Sequence, residues 1–223
     1  MIDVKDFHLH KGINASELIS QMQDSGGFSA KHLATARGIL QDMEKEKDCL
    51  RILSFPACIT STGTRGIIRD FLKHKMFDLV ITTCGTWDHD LARSHKKYYH
   101  GHFGMDDREL YKKGINRLGN VLVPNDSYGI IIEKKMRPIL EKIEKSGRQA
   151  ISTHEFSWEI GKTLGEDSIL YWAEKNKIPV IVPAPTDGSV GYQFWQYAQG
   201  KKMNFDLMKD ESLLADYVFD HKK

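Results

Sequence analysis

Residues 51–83, RILSFPACITSTGTRGIIRDFLKHKMFDLVITT, hold two short apolar runs separated by a loop of small residues and an amphipathic segment. The pattern predicts a strand in RILSF, a loop over PACITSTG, a helix over TRGIIRDFLKHKM and a second strand in DLVITT. A strand, a crossover helix and a second strand form a βαβ unit with a right-handed connection. The two strands are therefore expected to lie parallel in one sheet.

The alternation of helix, strand and loop recurs nearer the carboxyl end. A helix is expected through IIIEKKMRPILEKIEK, starting at Asp126 or Ser127, with Pro138 as a kink or break. Another helix, DSILYWAEKNK, precedes the strand PVIVP and the loop APTDGSVG. This alternation predicts an α/β fold with a mainly parallel sheet.

The amino-terminal part of the chain differs from the rest. Residues 1–48 are predicted to form a short helical segment, and residues 49–223 to form the α/β domain. Asn14 followed by Glu17 resembles a capping box and would open the first helix. Ser29 can cap a second helix in the same segment.

The composition excludes several classes of protein. With 223 residues, 40% of them apolar and 28% charged, and a net charge of +2, it is typical of a soluble globular protein and gives no nucleic-acid-binding surface. The start, MIDVKDFHLHKG, lacks the apolar region of a secretory signal, and no apolar run approaches the roughly 20 residues of a membrane span. Cys49, Cys58 and Cys84 lack CxxC spacing, which indicates reduced, packed thiols and a cytoplasmic protein.

Three loops are expected to leave strands at the carboxyl edge of the sheet, where ligands bind in open parallel sheets. They are residues 56–63, 83–90 and 183–191, all rich in Gly, Ser, Thr and Asp. The first leads into a helix amino terminus, which favours a phosphate. Neither GxGxxG nor GxxxxGKS is present, so three ordinary turns remain the alternative to a nucleotide site.

The stretch 82–90, TTCGTWDHD, places Trp87 beside two aspartates and a histidine. If it is extended, alternate side chains diverge, so 88–90 would not form one metal-binding face. The HGH at 100–102 could add imidazoles, which leaves a metal hydrolase as a remote alternative; no metal ligand is expected. Acidic groups beside Trp87 would suit a cationic amine, whereas core packing is its other interpretation. Asp187 could bind ribose hydroxyls or simply form a turn.

Longer stretches resemble the deoxyhypusine synthase family, particularly its archaeal-type members. They are SFPACITSTGTRGIIRDFL, DLVITTCGTWDHDLARS, HGHFGMDDRELYKKGINRLGNVLVPNDSYG and IPVIVPAPTDGSVG, and the match runs in order from about residue 4 to the end. The resemblance implies a Rossmann-like, open, mainly parallel sheet with helices on both faces. It also implies an NAD-dependent reaction that moves the aminobutyl group of spermidine, through an enzyme lysine, to one lysine of the translation factor precursor that carries hypusine.

The resemblance further implies which residues bind the ligands. The residues implied for NAD are Ala57, Cys58, Ile59, Thr60, Ser61, Thr83, Cys84, Gly85, His89 and Asp187. Those implied for the amine substrate are Asp88, His89 and Tyr192. His89 stands where eukaryotic relatives have a glutamate, and Tyr192 stands where many relatives have an aspartate that holds the amine.

Members of the family continue with a glycine-rich strand, paired histidines and a segment that carries the catalytic lysine. This chain ends at LLADYVFDHKK, and Lys201 and Lys202 have the sequence context of a solvated loop. No catalytic residue is therefore expected in this chain. A second polypeptide would complete the sheet and supply the nucleophilic lysine, in a tetramer-like assembly with further copies of each chain, and the chain would be inactive alone.

Two other functions fit the same residues. A homospermidine synthase would share the fold and the imine chemistry but deliver the butyl group to a diamine. A non-catalytic paralogue would bind NAD or polyamine and regulate a complete synthase. The replaced positions His89 and Tyr192 are the features that favour the paralogue.

Overall fold

A computed structural model describes residues 1–220 of the protein. The chain divides into two compact units, the first Met1–Cys49 and the second from Leu50 onward. No helix within residues 1–220 combines the length and the apolar character needed to cross a membrane.

The first unit contains two helices, α1 (Ala15–Asp24) and α2 (Phe28–Lys45). The Asn14 side chain accepts a hydrogen bond from the backbone N–H of Glu17, so the predicted cap of α1 is confirmed. The predicted cap of α2 is wrong, because Gly27 is the N-cap and Ser29 already lies in the first helical turn. The turn through Gly26 and Gly27 ends at Gly27, so α2 begins at Phe28, before the position that the sequence pattern suggested.

The second unit holds the sheet and the remaining helices. Its strands are β1 (Ile52–Phe55), β2 (Leu79–Thr82), β3 (Tyr99–His100), β4 (Ile115–Leu118), β5 (Val121–Pro124), β6 (Ala150–Ile151), β7 (Val180–Ile181) and β8 (Asn204–Phe205). Its α-helices are α3 (Thr64–Lys73), α4 (Gly85–Arg93), α5 (Asp107–Lys112), α6 (Gly129–Lys145), α7 (Thr153–Gly161), α8 (Ile169–Asn176), α9 (Ser189–Ala198) and α10 (Leu207–Ala215). Short 3₁₀ turns span Ala57–Ser61 and Asn125–Ser127, and a π-helical turn spans Asp216–Asp220.

The predicted βαβ unit is confirmed. β1 and β2 pair in parallel, with Ile52 opposite Leu79, and β7 joins the other side of β2 in parallel. Helix α3 is the crossover, and it packs its buried Ile68 and Leu72 into the core. The strands are apolar on both faces because helices cover them, as in other parallel sheets. A second parallel pair, β6 with β8, completes the α/β architecture.

An antiparallel sheet was not predicted. β5 pairs with β4 on one side and with β3 on the other, both antiparallel. The turn between β4 and β5 depends on Gly119, whose φ of +61° lies in the left-handed region. The strands are short and half-exposed, so their alternation gave a weak signal in the sequence.

Two helix starts differ from expectation. Helix α6 begins at Gly129, after the 3₁₀ turn that contains Asp126 and Ser127, and it continues through Pro138 without a break. Pro138 lies on the exposed face of α6, where water can replace the missing N–H. Helix α4 begins at Gly85, so residues 85–90 are helical and the prediction of a loop there is wrong.

Candidate functional site

Two of the three predicted ligand-binding segments meet where β1 and β2 end. The backbone N–H of Ala57 donates to Thr83 Oγ1 at 3.0 Å. Gly85 lies against the same turn, because a Cβ at Gly85 would come within 3.1 Å of the Ala57 side chain. The turn 57–61 and the segment 83–85 therefore form one surface at the carboxyl edge of the sheet.

The third segment is joined to this surface by α4. The Cys84 thiol donates to the carbonyl oxygen of Pro185 at 3.0 Å. Gly188 fits tightly between the two segments, since a Cβ there would lie 2.7 Å from an oxygen of Asp88 and 2.8 Å from Cys84 Sγ. The close approach of the chains thus requires glycine at this position.

A cleft of about 480 Å³ opens where these segments converge. Its lining residues are Gly85, Asp88, Tyr128, Gly129, Thr186, Asp187, Gly188, Ser189, Tyr192 and Gln193. Four of the residues predicted for ligand binding are among them: Gly85, Asp88, Asp187 and Tyr192. Within residues 1–220 the lining includes two carboxylates and no lysine or arginine, so the cleft suits a positively charged ligand.

No residue of the turn 57–61 is among the lining residues of the cleft. Thr60 and Ser61 are buried, and their hydroxyls donate to the carbonyl oxygens of Ala57 at 2.6 Å and Cys58 at 2.7 Å. Arg93 holds the turn from α4 by donating to the Thr60 carbonyl at 2.8 Å. The hydroxyls of Thr60 and Ser61 are thus engaged within the turn.

Asp88 accepts three hydrogen bonds, two of them from the start of α9. Its carboxylate accepts hydrogen bonds from the Tyr128 hydroxyl at 2.6 Å, the Ser189 N–H at 2.9 Å and the Val190 N–H at 2.7 Å. Only 1% of the residue is exposed. Burial raises the pKa of Asp88, and the three donors oppose that rise. Asp88 therefore caps α9 as well as lining the cleft.

Asp90 caps helix α8 in the same way. It accepts from the Ser168 hydroxyl at 2.7 Å and from the backbone N–H groups of Ile169 and Leu170, which are the first residues of α8. It also pairs with the buried guanidinium of Arg65 at 2.7 Å. Because residues two apart on a helix point in nearly opposite directions, Asp88 and Asp90 reach different partners. The assumption of an extended DHD was wrong.

His89 lies between the two aspartates and is neutral at pH 7. Its Nδ1 lies 3.0 Å from the Tyr98 hydroxyl, and its ring contacts Tyr98 and Tyr128. Burial, with repulsion from Arg93, lowers the pKa of His89 to about 4. Sequence reasoning did not identify Tyr98 and Tyr128, because neither belongs to a helical or strand periodicity that would place it against His89.

Trp87 belongs to the core. It is fully buried, its indole N–H donates to Ser157 Oγ at 2.7 Å, and its ring meets Phe156 edge to face at 5.0 Å. Core packing is therefore confirmed for Trp87, and an amine contact by its ring is wrong.

The candidate metal ligands do not come together. Among the described residues, no group of three His, Cys, Asp or Glu side chains could hold a metal ion. His100 and His102 are exposed, whereas Asp88 is engaged with α9 and Tyr128. The geometry of residues 1–220 does not support a metal hydrolase.

Comparisons with known proteins agree with the resemblance. The family model "DS: Deoxyhypusine synthase" matches residues 17–223. The chain is 47% identical to a "Probable deoxyhypusine synthase" of Picrophilus torridus and 47% identical to one of Thermoplasma volcanium, in each case over 99% of this chain and 71% of the relative. A crystal structure of a putative deoxyhypusine synthase from Entamoeba histolytica has the same fold, with a TM-score of 0.68 at 20% identity, over 96% of this chain and 74% of that chain. The protein therefore belongs to the deoxyhypusine synthase family.

Proposed function

We propose that the chain forms the ligand-binding half of an NAD-dependent transferase that moves the aminobutyl group of spermidine to a lysine of the translation factor precursor. The observation that carries the proposal is the acidic cleft, which is lined by residues from two of the segments that the family resemblance assigns to ligand binding. Its lining contains Asp88 and Asp187 and, within residues 1–220, no lysine or arginine. A polyamine is the complementary ligand for such a surface.

The cleft also has features that fit a dinucleotide. Helix α4 begins at Gly85, which lines the cleft, so the positive end of the helix dipole lies there and favours a phosphate. Asp187 is exposed at the cleft, where its carboxylate can accept hydrogen bonds from ribose hydroxyls. NAD, when bound, supplies the hydride acceptor. The chain's own part would be to orient the amine beside it and, with neutral His89, to add no positive charge that repels the amine.

The nucleophilic lysine is proposed to come from a second polypeptide. No lysine lines the cleft among the described residues. Lys201 is engaged at the surface, where its ammonium group pairs with Glu144 at 2.9 Å and lies over the Tyr197 ring. Although burial lowers the pKa of Lys201, contacts with Tyr197 and Glu144 outweigh it and raise the pKa overall, which keeps the amine protonated and unsuited to nucleophilic attack.

The partner can be tested by isolating the chain from its native cells under gentle conditions. We expect a second polypeptide with a lysine-bearing segment to copurify in equal amounts, and mass spectrometry would identify it. In a tetramer-like assembly, light scattering would find several copies of each chain. Recovery of the chain as a monomer that transfers the aminobutyl group unaided would contradict the proposal.

The regulatory paralogue gives a different outcome in the same experiment. It would copurify with a complete synthase that carries its own NAD-binding segments, and removing it would change the activity of that synthase without abolishing it. A partner that is inactive until this chain is added would instead support the proposed function.

A further inference from the structure

Helix α2 of the first unit has an exposed apolar face. Leu33, Ala36, Leu40 and Met43 follow one another at spacings of three, four and three residues, which is the pattern of a helix that packs against another helix. Leu33 and Leu40 are nevertheless 51% and 53% exposed, and Ala36 is exposed as well. We call these four residues the α2 stripe. Its sequence pattern is that of a buried face, and its surface lies largely in water.

Helix α1 packs against a different face of α2. Ala34 is buried on that face, and the guanidinium of Arg37 donates to the hydroxyls of Ser16 and Ser20, each at 2.8 Å. Residues 1–49 are all described, and Ala34 is the only one of them that is buried. Two helices with so small a core gain little stability from their own packing, so a further helix against the α2 stripe would stabilise them.

The charges along α2 make the helix complementary to a second copy of itself. Residues 28–40 contain Lys31, His32 and Arg37 and no acid, whereas residues 41–48 contain four acids and two lysines. An antiparallel pair would place the basic half of each helix beside the acidic half of the other. An interface between two copies related by a two-fold axis must be complementary to itself, and α2 meets this requirement.

The spacing of the α2 stripe also sets a register for such a pair. In an antiparallel pair centred on the stripe, Leu33 packs against Met43 of the second copy, and Ala36 packs against its Leu40. The neighbouring positions then place His32 beside Glu46 of the second copy. Two hairpins of α1 and α2 joined in this way have the arrangement of a four-helix bundle, which buries apolar stripes of this kind.

We propose that the α2 stripe binds the α2 stripe of a second copy of this chain in antiparallel orientation. The proposed function gives several copies of each chain in the assembly and names no surface between them. The inference goes beyond that function by assigning the surface, and it holds whether or not the chain takes part in aminobutyl transfer.

The test measures self-association of the purified chain, together with any partner that copurifies, by sedimentation over a range of concentrations. Leu40→Gln keeps a residue that favours helices and is expected to weaken self-association at least about 30-fold, because it removes an apolar contact from both copies. Ile67→Gln is the matched control, since Ile67 is 54% exposed on α3, and it should leave self-association unchanged. Both positions are exposed, so both variants should fold, and their melting temperatures would verify this.

An exchange of charges tests the antiparallel orientation. His32→Glu places a carboxylate opposite Glu46 of the second copy and is expected to weaken self-association about 3- to 10-fold. Mixing this variant with Glu46→Lys should restore self-association to at least the wild-type level, because the new carboxylate then faces the new ammonium group. Positions 32 and 46 lie about 21 Å apart along one helix, so the recovery cannot arise within one chain.

Unchanged self-association in Leu40→Gln would overturn the inference. Release of the second polypeptide in this variant, with copies of this chain still joined, would overturn it as well and would show that the partner covers the α2 stripe. A lower melting temperature without a change in self-association would show that the stripe packs within one chain. Self-association that depends on Leu40, in an assembly that transfers no aminobutyl group, would support the inference and contradict the proposed function alone.

Discussion

Asp90→Ala is expected to lower the free energy of unfolding by about 4 kcal/mol, because it removes one partner of a buried ion pair. Arg65 is 8% exposed, and its guanidinium donates to Asp90 at 2.7 Å. Without the Asp90 carboxylate, the Arg65 guanidinium would still donate to the Ser94 hydroxyl, which is neutral. Its remaining carboxylate neighbour would be Asp167, at a longer distance. The backbone N–H groups at the start of α8 would lose their acceptor as well. Chemical denaturation at neutral pH would measure the loss.

Asp167→Ala is the matched control for this change. Asp167 also lies near the Arg65 guanidinium, at 3.5 Å, but its side chain is 54% exposed. A contact at 3.5 Å with a half-exposed carboxylate is screened by water and contributes little, so the loss should stay below about 1 kcal/mol. Replacing both Arg65 and Asp90 by leucine should recover part of the stability, because no buried charge is then left unpaired. Equal effects of Asp90→Ala and Asp167→Ala would show that burial of the pair is not what matters.

Asp88→Ala is expected to cost about 3 kcal/mol and to abolish spermidine binding. It removes the cap of α9 and leaves the Tyr128 hydroxyl and two backbone N–H groups without their acceptor. Since α9 forms one wall of the cleft, loosening its first turn should also displace Tyr192. Denaturation and spermidine calorimetry on the same preparation would measure both effects.

Tyr128→Phe separates the two roles of Asp88. It removes one of the three donors and keeps the ring, so a loss of about 1 kcal/mol is expected, with spermidine binding retained. A version of Asp88→Ala that is as stable as the wild type but no longer binds spermidine would contradict the role of Asp88 as a cap. Asp88 would then act only through its carboxylate at the cleft.

Periodicity in the sequence predicted the parts of the fold that depend on local pattern. The βαβ unit, helix α8 and strand β7 were found where apolar spacing placed them. Helix α4 was missed because Gly, Thr, Asp and His are weak helix formers, and α4 is stabilised instead by tertiary contacts of Trp87, Asp88 and Asp90. Those contacts join residues 25 to 102 positions apart, such as Asp90 with Arg65 and Asp88 with Val190, and no short-range pattern predicts them.

The residues of the candidate site were predicted from the family resemblance, and the sheet geometry predicted that its segments would lie together. The carboxyl-edge rule for parallel sheets correctly brought the turn 57–61, residues 83–85 and Asp187 to one end of the sheet. It could not indicate that the Thr60 and Ser61 hydroxyls donate within their own turn, or that the rings of Tyr192 and Trp195 lie in contact. Side-chain direction depends on packing between elements, which a single sequence does not specify.

The most direct test of the account is transfer of label from spermidine that is labelled in its aminobutyl group. The purified chain, the copurified partner, NAD and the translation factor precursor would be combined, and each would be omitted in turn. The account predicts that label enters one lysine of the precursor only when all four are present, and that putrescine in place of the precursor accepts none. Label transferred to putrescine instead, or to the precursor without this chain, would contradict it.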